Sequence, residues 1–375
     1  MHILIVSRGL PSESYPLNGI FEFDQAKALA EAGLRVTYFA IDLRSIRRKR
    51  QFGITKEARE GVDCYNYNLP LGAVPLTVLL KVGSWALRRL YRKVFINSKP
   101  DIIHAHFTEY GYIAAKLCEE ITVPLVITEH SSEMNKTQIK PDLLNAANFA
   151  YKKASAVIAV GEQLRNNIAD KTGVKAIVVP NIMSDQSFLC ICKRENKDYY
   201  GYVFTGRLID RKRPFLLLDA FNSVAERYPN TRLGIIGDGV LRQEIVHRIA
   251  EYRLQDKVIL YGALKRDSIA EVYAGYDCFI LPSVRETFGV VCIEAMAAGL
   301  PVIATRSGGP EDFITQDVGL LTASDDKKEL ENAMEYMLLN AGKYNSDRIK
   351  QYVRNSFSPE IIARKIIEIY MTVIS

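Results

Sequence analysis

The feature of this sequence that most constrains its fold is a repeated alternation of short apolar runs with amphipathic stretches. HILIVS, RVTYFAI, DIIHAHF, PLVITEH and AVIAVG are typical of buried strands, and helical stretches such as residues 22–32 separate them. Such alternation indicates a parallel sheet covered by helices on both faces. After residues 180–181 the pattern starts again with YGYVFTG, RLGIIGDG, KVILYG and CFILPS. The sequence therefore predicts two α/β domains in tandem.

The length of the chain agrees with two domains, because 375 residues exceed what one ordinary hydrophobic core supports. We place the first domain at residues 1–182 and the second at residues 183–358. Residues 359–375 have a Ser-Pro-Glu start and apolar residues three or four apart. This spacing predicts a helix, which we expect to pack back on the first domain. Two doubly wound domains would bind ligands at the carboxyl ends of their strands, in a shared crevice.

Composition excludes several classes of protein. The hydrophobic content of 48% and charged content of 25% are those of a folded globular chain, and no apolar run approaches the roughly 18 residues that span a bilayer. The first run, MHILIVS, has no basic leader and predicts a strand rather than a signal peptide. Of the six cysteines only Cys190 and Cys192 are close together, which is not the spacing of a metal site. We expect a cytoplasmic protein with reduced thiols.

The stretch ETFGVVCIEAMAAG, residues 286–299, carries two acids in an apolar context. Gly289 would open a helix, so the backbone amides of Phe288, Gly289 and Val290 would face an anion or a hydroxyl group. Glu286 and Glu294 would lie about 12 Å apart along a continuous helix, which suits the two ends of one ligand better than one shared proton. The structural alternative is a helix N-terminal charge for Glu286 and an arginine partner for Glu294.

A second cluster, TGRLIDRKRP at residues 205–214, lies between a predicted strand and a helix. Arg211, Lys212 and Arg213 are consecutive cations, and Arg207 precedes them. A planar guanidinium and a lysine point charge together suit a diphosphate. A solvated basic turn is the alternative for such a run.

Weaker signals occur elsewhere. Gly19 joins the first strand to its helix, where a loop can touch phosphate, but only one glycine is present. Gly237-Asp-Gly239 is part of a dinucleotide fingerprint and is interpreted first as a tight turn. His130 follows a strand and would face the crevice. His104 and His106 would share one strand face without a clear third metal ligand.

Together these segments resemble the retaining family 4 glycosyltransferases, which have the GT-B fold. The resemblance runs over most of the chain and is most specific in ETFGVVCIEAMAAGLPVIATRSGGPEDFI, whose E-x7-E spacing marks the family. It implies an α/β protein with two Rossmann-like domains facing a central cleft. The first domain would bind the acceptor, and the second would bind a nucleotide sugar.

The resemblance also implies roles for the candidate residues. Arg207 and Lys212 would hold the donor pyrophosphate, while Glu294 would accept from the ribose hydroxyls. Glu286 and the amides of residues 288–290 would hold the transferred sugar. His130 would lie near the C6 side of the sugar, and Gly19 would lie near the phosphates. The backbone around Leu264 would contact the base. No metal or other cofactor is implied, because cations and a helix N-terminus would neutralise the leaving diphosphate.

The activity implied is transfer of a sugar from a nucleotide diphosphate sugar, with a UDP-sugar favoured and GDP-mannose as the other donor considered. The acceptor would be a glycan or a lipid-linked molecule, in surface polysaccharide or glycoconjugate synthesis. The alternatives are a nucleotide-sugar epimerase of similar fold and a non-catalytic nucleotide-sugar-binding subunit. Two positions depart from the family pattern: Asn18 stands where many relatives have a second glycine, and Arg213 where a glycine often follows the lysine.

The net charge of +6 is unevenly distributed. Residues 44–93 contain 12 Lys and Arg side chains but only Glu57, Glu60 and Asp63 as acids. Within them, residues 76–95 mix apolar and basic side chains as an interfacial helix does, which would bring the enzyme to the inner face of an anionic membrane. An ordinary packed helix with a solvated basic face is the alternative. Aromatic interleaving for nucleic-acid bases is not evident.

Overall fold

We describe a computed structural model of the chain that covers residues 1–16, 18–45, 47–183 and 197–375. The chain forms two compact units, one of residues 1–182 with 359–375 and the other of residues 183–358. Cys190 and Cys192 lie outside the described residues. No helix in the described ranges is both long and apolar enough to cross a membrane.

The strands of unit 1 are β1 His2–Ser7, β2 Arg35–Asp42, β3 Gly53–Arg59, β4 Val62–Asn68, β5 Ile102–His106, β6 Leu125–Glu129, β7 Ala156–Ala159 and β8 Ile177–Val178. Those of unit 2 are β9 Tyr200–Thr205, β10 Thr231–Ile236, β11 Val258–Gly262, β12 Cys278–Leu281, β13 Val302–Thr305 and β14 Gly319–Thr322. The α-helices of the described residues are α1 Ile20–Glu31, α2 Leu76–Val94, α3 Thr108–Cys118, α4 Pro141–Lys153, α5 Glu162–Thr172, α6 Pro214–Arg227, α7 Arg242–Glu251, α8 Arg266–Tyr273, α9 Val290–Ala297, α10 Lys327–Leu339, α11 Ser346–Phe357 and α12 Pro359–Ile374.

Unit 1 contains one sheet with the order β3-β4-β2-β1-β5-β6-β7-β8. All neighbouring pairs are parallel except β3 and β4. The central strands are mainly apolar and almost wholly buried because helices cover both faces of the sheet, and β1 is buried from Ile3 to Ser7. The order reverses between β1 and β5, and at such a switch point the carboxyl ends of the strands leave a crevice for a ligand.

Helix α12 completes the core of unit 1 although it comes last in the chain. Ile362, Ile366 and Tyr370 are fully buried in the same cluster as β1 and α1. The terminal helix therefore packs on the first domain, as expected from its apolar spacing. The hydroxyl group of Tyr370 on α12 forms a hydrogen bond with the imidazole of His104 on β5, with 2.6 Å between Oη and Nδ1.

Unit 2 contains a fully parallel sheet with the order β11-β10-β9-β12-β13-β14. Numbered within the unit, this is the order 3-2-1-4-5-6 of a dinucleotide-binding fold. The switch point lies between β9 and β12. The loop after β9 contains the basic cluster at residues 205–214, and the loop after β12 contains Glu286, so both candidate segments meet at the crevice of this sheet.

Candidate functional site

The basic loop of unit 2 presents two cations in different ways. Arg207 follows β9 and is exposed, and within the described part of the chain its guanidinium has no ion-pair partner. Lys212 ends a short 3-10 turn, Asp210–Lys212, and its Nζ lies 2.6 Å from Oε1 of Glu286. The structure thus joins the expected phosphate-binding lysine to the expected sugar-binding acid.

The pair of Lys212 and Glu286 is mostly removed from water, with side chains 12% and 11% exposed. Opposite charges attract each other more strongly where little water screens them. Removing one partner would leave the other charge buried and unpaired, which is destabilising. The backbone amide of Glu286 also donates to the carbonyl of Ser307, at 2.8 Å. The carboxylate is therefore held in a defined place from both the main chain and the side chain.

Arg213 adopts the left-handed conformation, with φ of 50° and ψ of 47°, which a glycine would adopt without strain. Its side chain is fixed by Asp325, with 2.5 Å between Nε and Oδ1, and by Asp210, at 2.6 Å. Arg213 thus compensates for its strained backbone with two ion pairs. It does not share an acid with Lys212.

The E-x7-E stretch is only partly helical. Helix α9 begins at Val290, after Gly289 with φ of 92°, so Glu286 lies in the preceding loop and the 12 Å helical estimate does not apply to the whole stretch. The amide of Cys292 donates to the carbonyl of Gly289, at 2.8 Å, while amides at the very start of a helix lack an acceptor one turn earlier and suit a hydroxyl group or an anion. The ring of Phe288 is buried against Phe313, which fixes the backbone on which these amides lie.

Glu294 lies in the middle of α9 and forms an ion pair with Arg266, the first residue of α8. Arg266 Nε is 3.1 Å from Oε1, and the two side chains are 19% and 12% exposed. A small pocket with Ile269, Ala270 and Tyr273 lies beside them. The arginine partner named as the structural alternative therefore exists. In this pair the Glu294 carboxylate already has a cationic partner. Leu264, two residues before Arg266, lies in the loop between β11 and α8.

Sequence reasoning missed the supporting turn at residues 307–311, although its motif SGGPED was part of the family resemblance. Gly309 must be a glycine, because a Cβ there would lie 2.4 Å from the backbone nitrogen of Phe288. The carboxylate of Glu311 accepts from the amides of Ser307 and Gly308. This turn supports Glu286 from behind, and no spacing rule in the sequence would have paired the two segments.

The turn Gly237-Asp-Gly239 lies behind the basic loop, where the amide of Leu208 donates to the carbonyl of Asp238, at 3.0 Å. In unit 1, Gly19 is the residue before α1 and has φ of 75°. A Cβ on Gly19 would lie 2.1 Å from the carbonyl oxygen of Gly9. The second close-packed glycine of this loop is therefore Gly9, on the facing segment, rather than the residue at position 18.

His130 follows β6 and is partly exposed. Both of its ring nitrogens have partners: Nδ1 lies 3.0 Å from Oδ1 of Asn181, and Nε2 lies 3.0 Å from Nδ1 of His106. Burial, and next the nearby guanidinium of Arg8, lower the pKa of His130 to about 3. The ring is therefore neutral at physiological pH. Among the described side chains, no group of three His, Cys, Asp or Glu residues is arranged as a metal site.

The chain is similar to known glycosyltransferases along most of its length. The family described as Glycosyltransferase Family 4 matches residues 23–185, and the family described as Glycosyl transferases group 1 matches residues 192–356. A Bacillus subtilis glycosyltransferase named for teichuronic acid biosynthesis is 28% identical, over 86% of this chain and 85% of its own. The N-acetyl-alpha-D-glucosaminyl L-malate synthase of Bacillus anthracis is 25% identical, over 73% of this chain and 75% of its own.

Two solved structures resemble the whole chain. Sucrose-phosphate synthase of Thermosynechococcus elongatus has a TM-score of 0.81 at 22% identity and covers 99% of this chain and 98% of its own. An Anabaena protein solved in complex with UDP and glucose has a TM-score of 0.74 at 20% identity and covers 99% of this chain and 100% of its own. At these identities the likeness concerns the fold, and it confirms the GT-B class.

Proposed function

The chain belongs to the family 4 glycosyltransferases, and on this premise we propose that it transfers a sugar from a nucleotide diphosphate sugar with retention of configuration. A UDP-sugar is the favoured donor, and GDP-mannose is the other donor considered. The observation that carries the proposal is the contact between Lys212 and Glu286 at the switch point of unit 2. In this contact, a cation of the kind that binds phosphate lies beside an acid that can accept hydrogen bonds from sugar hydroxyls.

The proposed donor contacts follow the charges of unit 2. Arg207 and Lys212 bind the diphosphate, and the first amides of α9 add the positive end of a helix. Glu294 accepts from the ribose hydroxyls, the backbone around Leu264 meets the base, and Glu286 holds the sugar together with residues 288–290. The roles of His130 at the sugar's C6 side and of Gly19 near the phosphates stay proposals as well.

Retention is proposed to proceed on one face of the sugar. The acceptor hydroxyl oxygen forms a bond to the anomeric carbon on the side from which the diphosphate oxygen leaves, and the hydroxyl proton passes to the leaving diphosphate. The cations stabilise the charge that develops on the leaving oxygen. Such groups are effective because they are already in place and need no reorganisation during the reaction. No metal or other cofactor is required by this scheme.

The acceptor is proposed to be a glycan or a lipid-linked molecule in surface polysaccharide or glycoconjugate synthesis. Support comes from the relative named for teichuronic acid biosynthesis and from another named as a phosphatidylinositol N-acetylglucosaminyltransferase subunit. Family membership makes the chain a glycosyltransferase, which disfavours the epimerase alternative. A non-catalytic subunit would bind the donor without turnover.

Nucleotide sugars can be screened for thermal stabilisation of the protein, followed by turnover with the donor that stabilises most. A donor at 100 times its dissociation constant raises the free energy of unfolding by about 2.7 kcal/mol. We expect a UDP-sugar to give the largest rise in Tm. If no nucleotide sugar raises Tm, the donor proposal is wrong, and binding without any sugar transfer or donor hydrolysis would support the non-catalytic alternative.

A lipid-linked acceptor gives a role to the basic region Arg44–Lys93, which we propose contacts an anionic membrane. Helix α2 buries Leu80, Leu87 and Leu90 against its own unit. Its opposite face exposes Lys81, Trp85 and Arg89, which follow one another at four-residue spacing. Trp85 is 49% exposed, and the guanidinium of Arg89 lies 5.6 Å from its ring. Cations beside an exposed indole suit the headgroup layer of an anionic bilayer.

Trp85 is the only tryptophan of the chain, so its fluorescence reports on this face alone. We expect its emission to shift to the blue with vesicles of phosphatidylcholine and phosphatidylglycerol at low salt, and to stay unchanged with phosphatidylcholine only. Lys81→Gln with Arg89→Gln should weaken partitioning about 30-fold, at about 1 kcal/mol per charge. The matched control is Lys327→Gln with Lys328→Gln in unit 2. Absence of binding at low salt removes the membrane proposal.

A further inference from the structure

Three imidazole rings lie in a row at the carboxyl ends of β5 and β6. The rings of His104 and His106 are stacked, with centroids 4.7 Å apart and planes 18° apart. The rings of His106 and His130 follow at 5.3 Å and 18°. His104 and His106 are fully buried, whereas His130 is partly exposed. The row thus leads from the core of unit 1 to its accessible edge, at the switch point of the sheet.

The hydrogen bonds of His130 define one tautomer. A neutral imidazole has one N–H donor and one acceptor nitrogen. With the Asn181 amide oriented as in the structure, its Oδ1 accepts, so the proton of His130 is on Nδ1. Nε2 must then accept from the Nδ1–H group of His106. Burial lowers the pKa of His106 as well, so both rings are neutral. The donor and the acceptor in each of the two hydrogen bonds are then defined.

Phe107 packs against His130 at a cost in backbone strain. Its φ of 69° and ψ of 155° lie in a region that is almost restricted to glycine. The surrounding structure holds it there, since its amide donates to the carbonyl of Thr128, at 2.9 Å. The ring centroid of Phe107 lies 5.1 Å from that of His130. The guanidinium carbon of Arg8 lies over the Phe107 ring, 4.2 Å from its centroid. Strain of this kind concentrates at functional sites, where it fixes a side chain.

We propose that His106 is a positioning residue, which holds the imidazole of His130 in the Nδ1–H tautomer and in one orientation, against Phe107, for the donor sugar. This inference rests on the proposed role of His130 in sugar transfer. Without the N–H group of His106, the Asn181 amide could also turn and donate from its Nδ2 to Nδ1 of His130, so the His130 ring would divide between two tautomers and rotate more freely. The sugar would then be held less accurately, while binding of the nucleotide in unit 2 would be unaffected.

Two variants with the same branching and number of side-chain heavy atoms separate positioning from packing. His106→Asn keeps an N–H donor near the position of Nδ1, whereas His106→Leu removes it. We expect His106→Leu to lower kcat about 100-fold, the effect of a small misplacement of a reacting group, with little change in KM for the donor and in the Kd for UDP. His106→Asn should retain most of the wild-type kcat. Tyr370→Phe, which alters only the bond to His104, is the control and should leave kcat unchanged.

The tautomer itself can be measured by ¹⁵N NMR of the histidine rings. His130 should show a protonated Nδ1 and an unprotonated Nε2 in the wild-type protein and in His106→Asn, and a mixture in His106→Leu. Equal losses of kcat in both variants, or an unchanged His130 tautomer in His106→Leu, would overturn the proposal. If the wild-type protein transfers no sugar, the proposed function fails instead, and the tautomer measurement alone decides the role of His106.

Discussion

Replacing Lys212 with methionine is expected to weaken UDP binding, and the additional replacement of Glu286 with glutamine is expected to restore part of it. Lys212 Nζ lies 2.6 Å from the Glu286 carboxylate. A phosphate oxygen bound to the same Nζ, at about 2.8 Å, would lie at most about 5.4 Å from that carboxylate. Lys212 therefore separates two negative groups as well as binding one of them.

The magnitude follows from these distances. Loss of a charge-assisted hydrogen bond costs about 2 kcal/mol. Repulsion between the uncovered Glu286 and the phosphate adds about 3 kcal/mol at an effective dielectric constant of about 20. Lys212→Met should thus weaken UDP binding by about 5 kcal/mol, or more than 1,000-fold. The double variant should lose only the hydrogen bond, because an uncharged glutamine does not repel the phosphate. It should therefore bind UDP about 100-fold more tightly than Lys212→Met does.

Isothermal titration calorimetry with UDP measures the three dissociation constants directly. Arg213→Met is the matched control, since its guanidinium is paired with Asp210 and Asp325 and its loss should leave the Kd nearly unchanged. If the double variant binds UDP no better than Lys212→Met, the carboxylate of Glu286 does not lie beside the diphosphate. The assignment of both residues to the donor would then fail.

Three further outcomes follow from the same geometry. Glu286→Gln should abolish sugar transfer while UDP still binds, and a variant that retains turnover would contradict the role of Glu286 at the sugar. Glu294→Gln should weaken UDP binding about 10- to 150-fold through lost bonds to the ribose but spare inorganic diphosphate; an equal loss for both ligands in calorimetry would count against the ribose assignment. His104 has its pKa lowered to about 3 by burial, so it stabilises the fold fully above pH 6.5 and loses this contribution as the pH falls toward 3, by up to about 1.4 kcal/mol per pH unit. In urea denaturation followed by circular dichroism, His104→Leu should therefore show a weaker fall in stability between pH 6.5 and 5 than the wild-type protein, and identical slopes would refute this.

The sequence allowed most of the fold to be predicted because burial on both faces makes each central strand a mainly apolar run. The first run became β1, and the spacing of the last segment predicted α12. By contrast, the antiparallel edge strand β3 was missed. Its sequence GITKEAR is polar and largely exposed, and a strand held only at one edge needs no apolar pattern.

The sequence predicted which residues belong to the candidate site, but not which of them contact each other. Glu286 and Lys212 are 74 positions apart, and their contact results from the pairing of β9 with β12, which no local pattern reveals. Arg266 was missed as the partner of Glu294 for the same reason. The hydrogen bonds of His130 depend on Asn181, just before the chain leaves unit 1, so its tautomer could only be inferred from the assembled sheet.

The position of α12 has a consequence for how the protein is made. Unit 2 is one continuous segment, so all of its residues leave the ribosome before α12 does. Unit 1 cannot complete its core until Ile362, Ile366 and Tyr370 have left the ribosome, although most of unit 1 is translated first. The usual order in which the N-terminal domain folds first is therefore reversed at the last step. Until then, the apolar side chains of α1 and β1 in this cluster lack the helix that covers them.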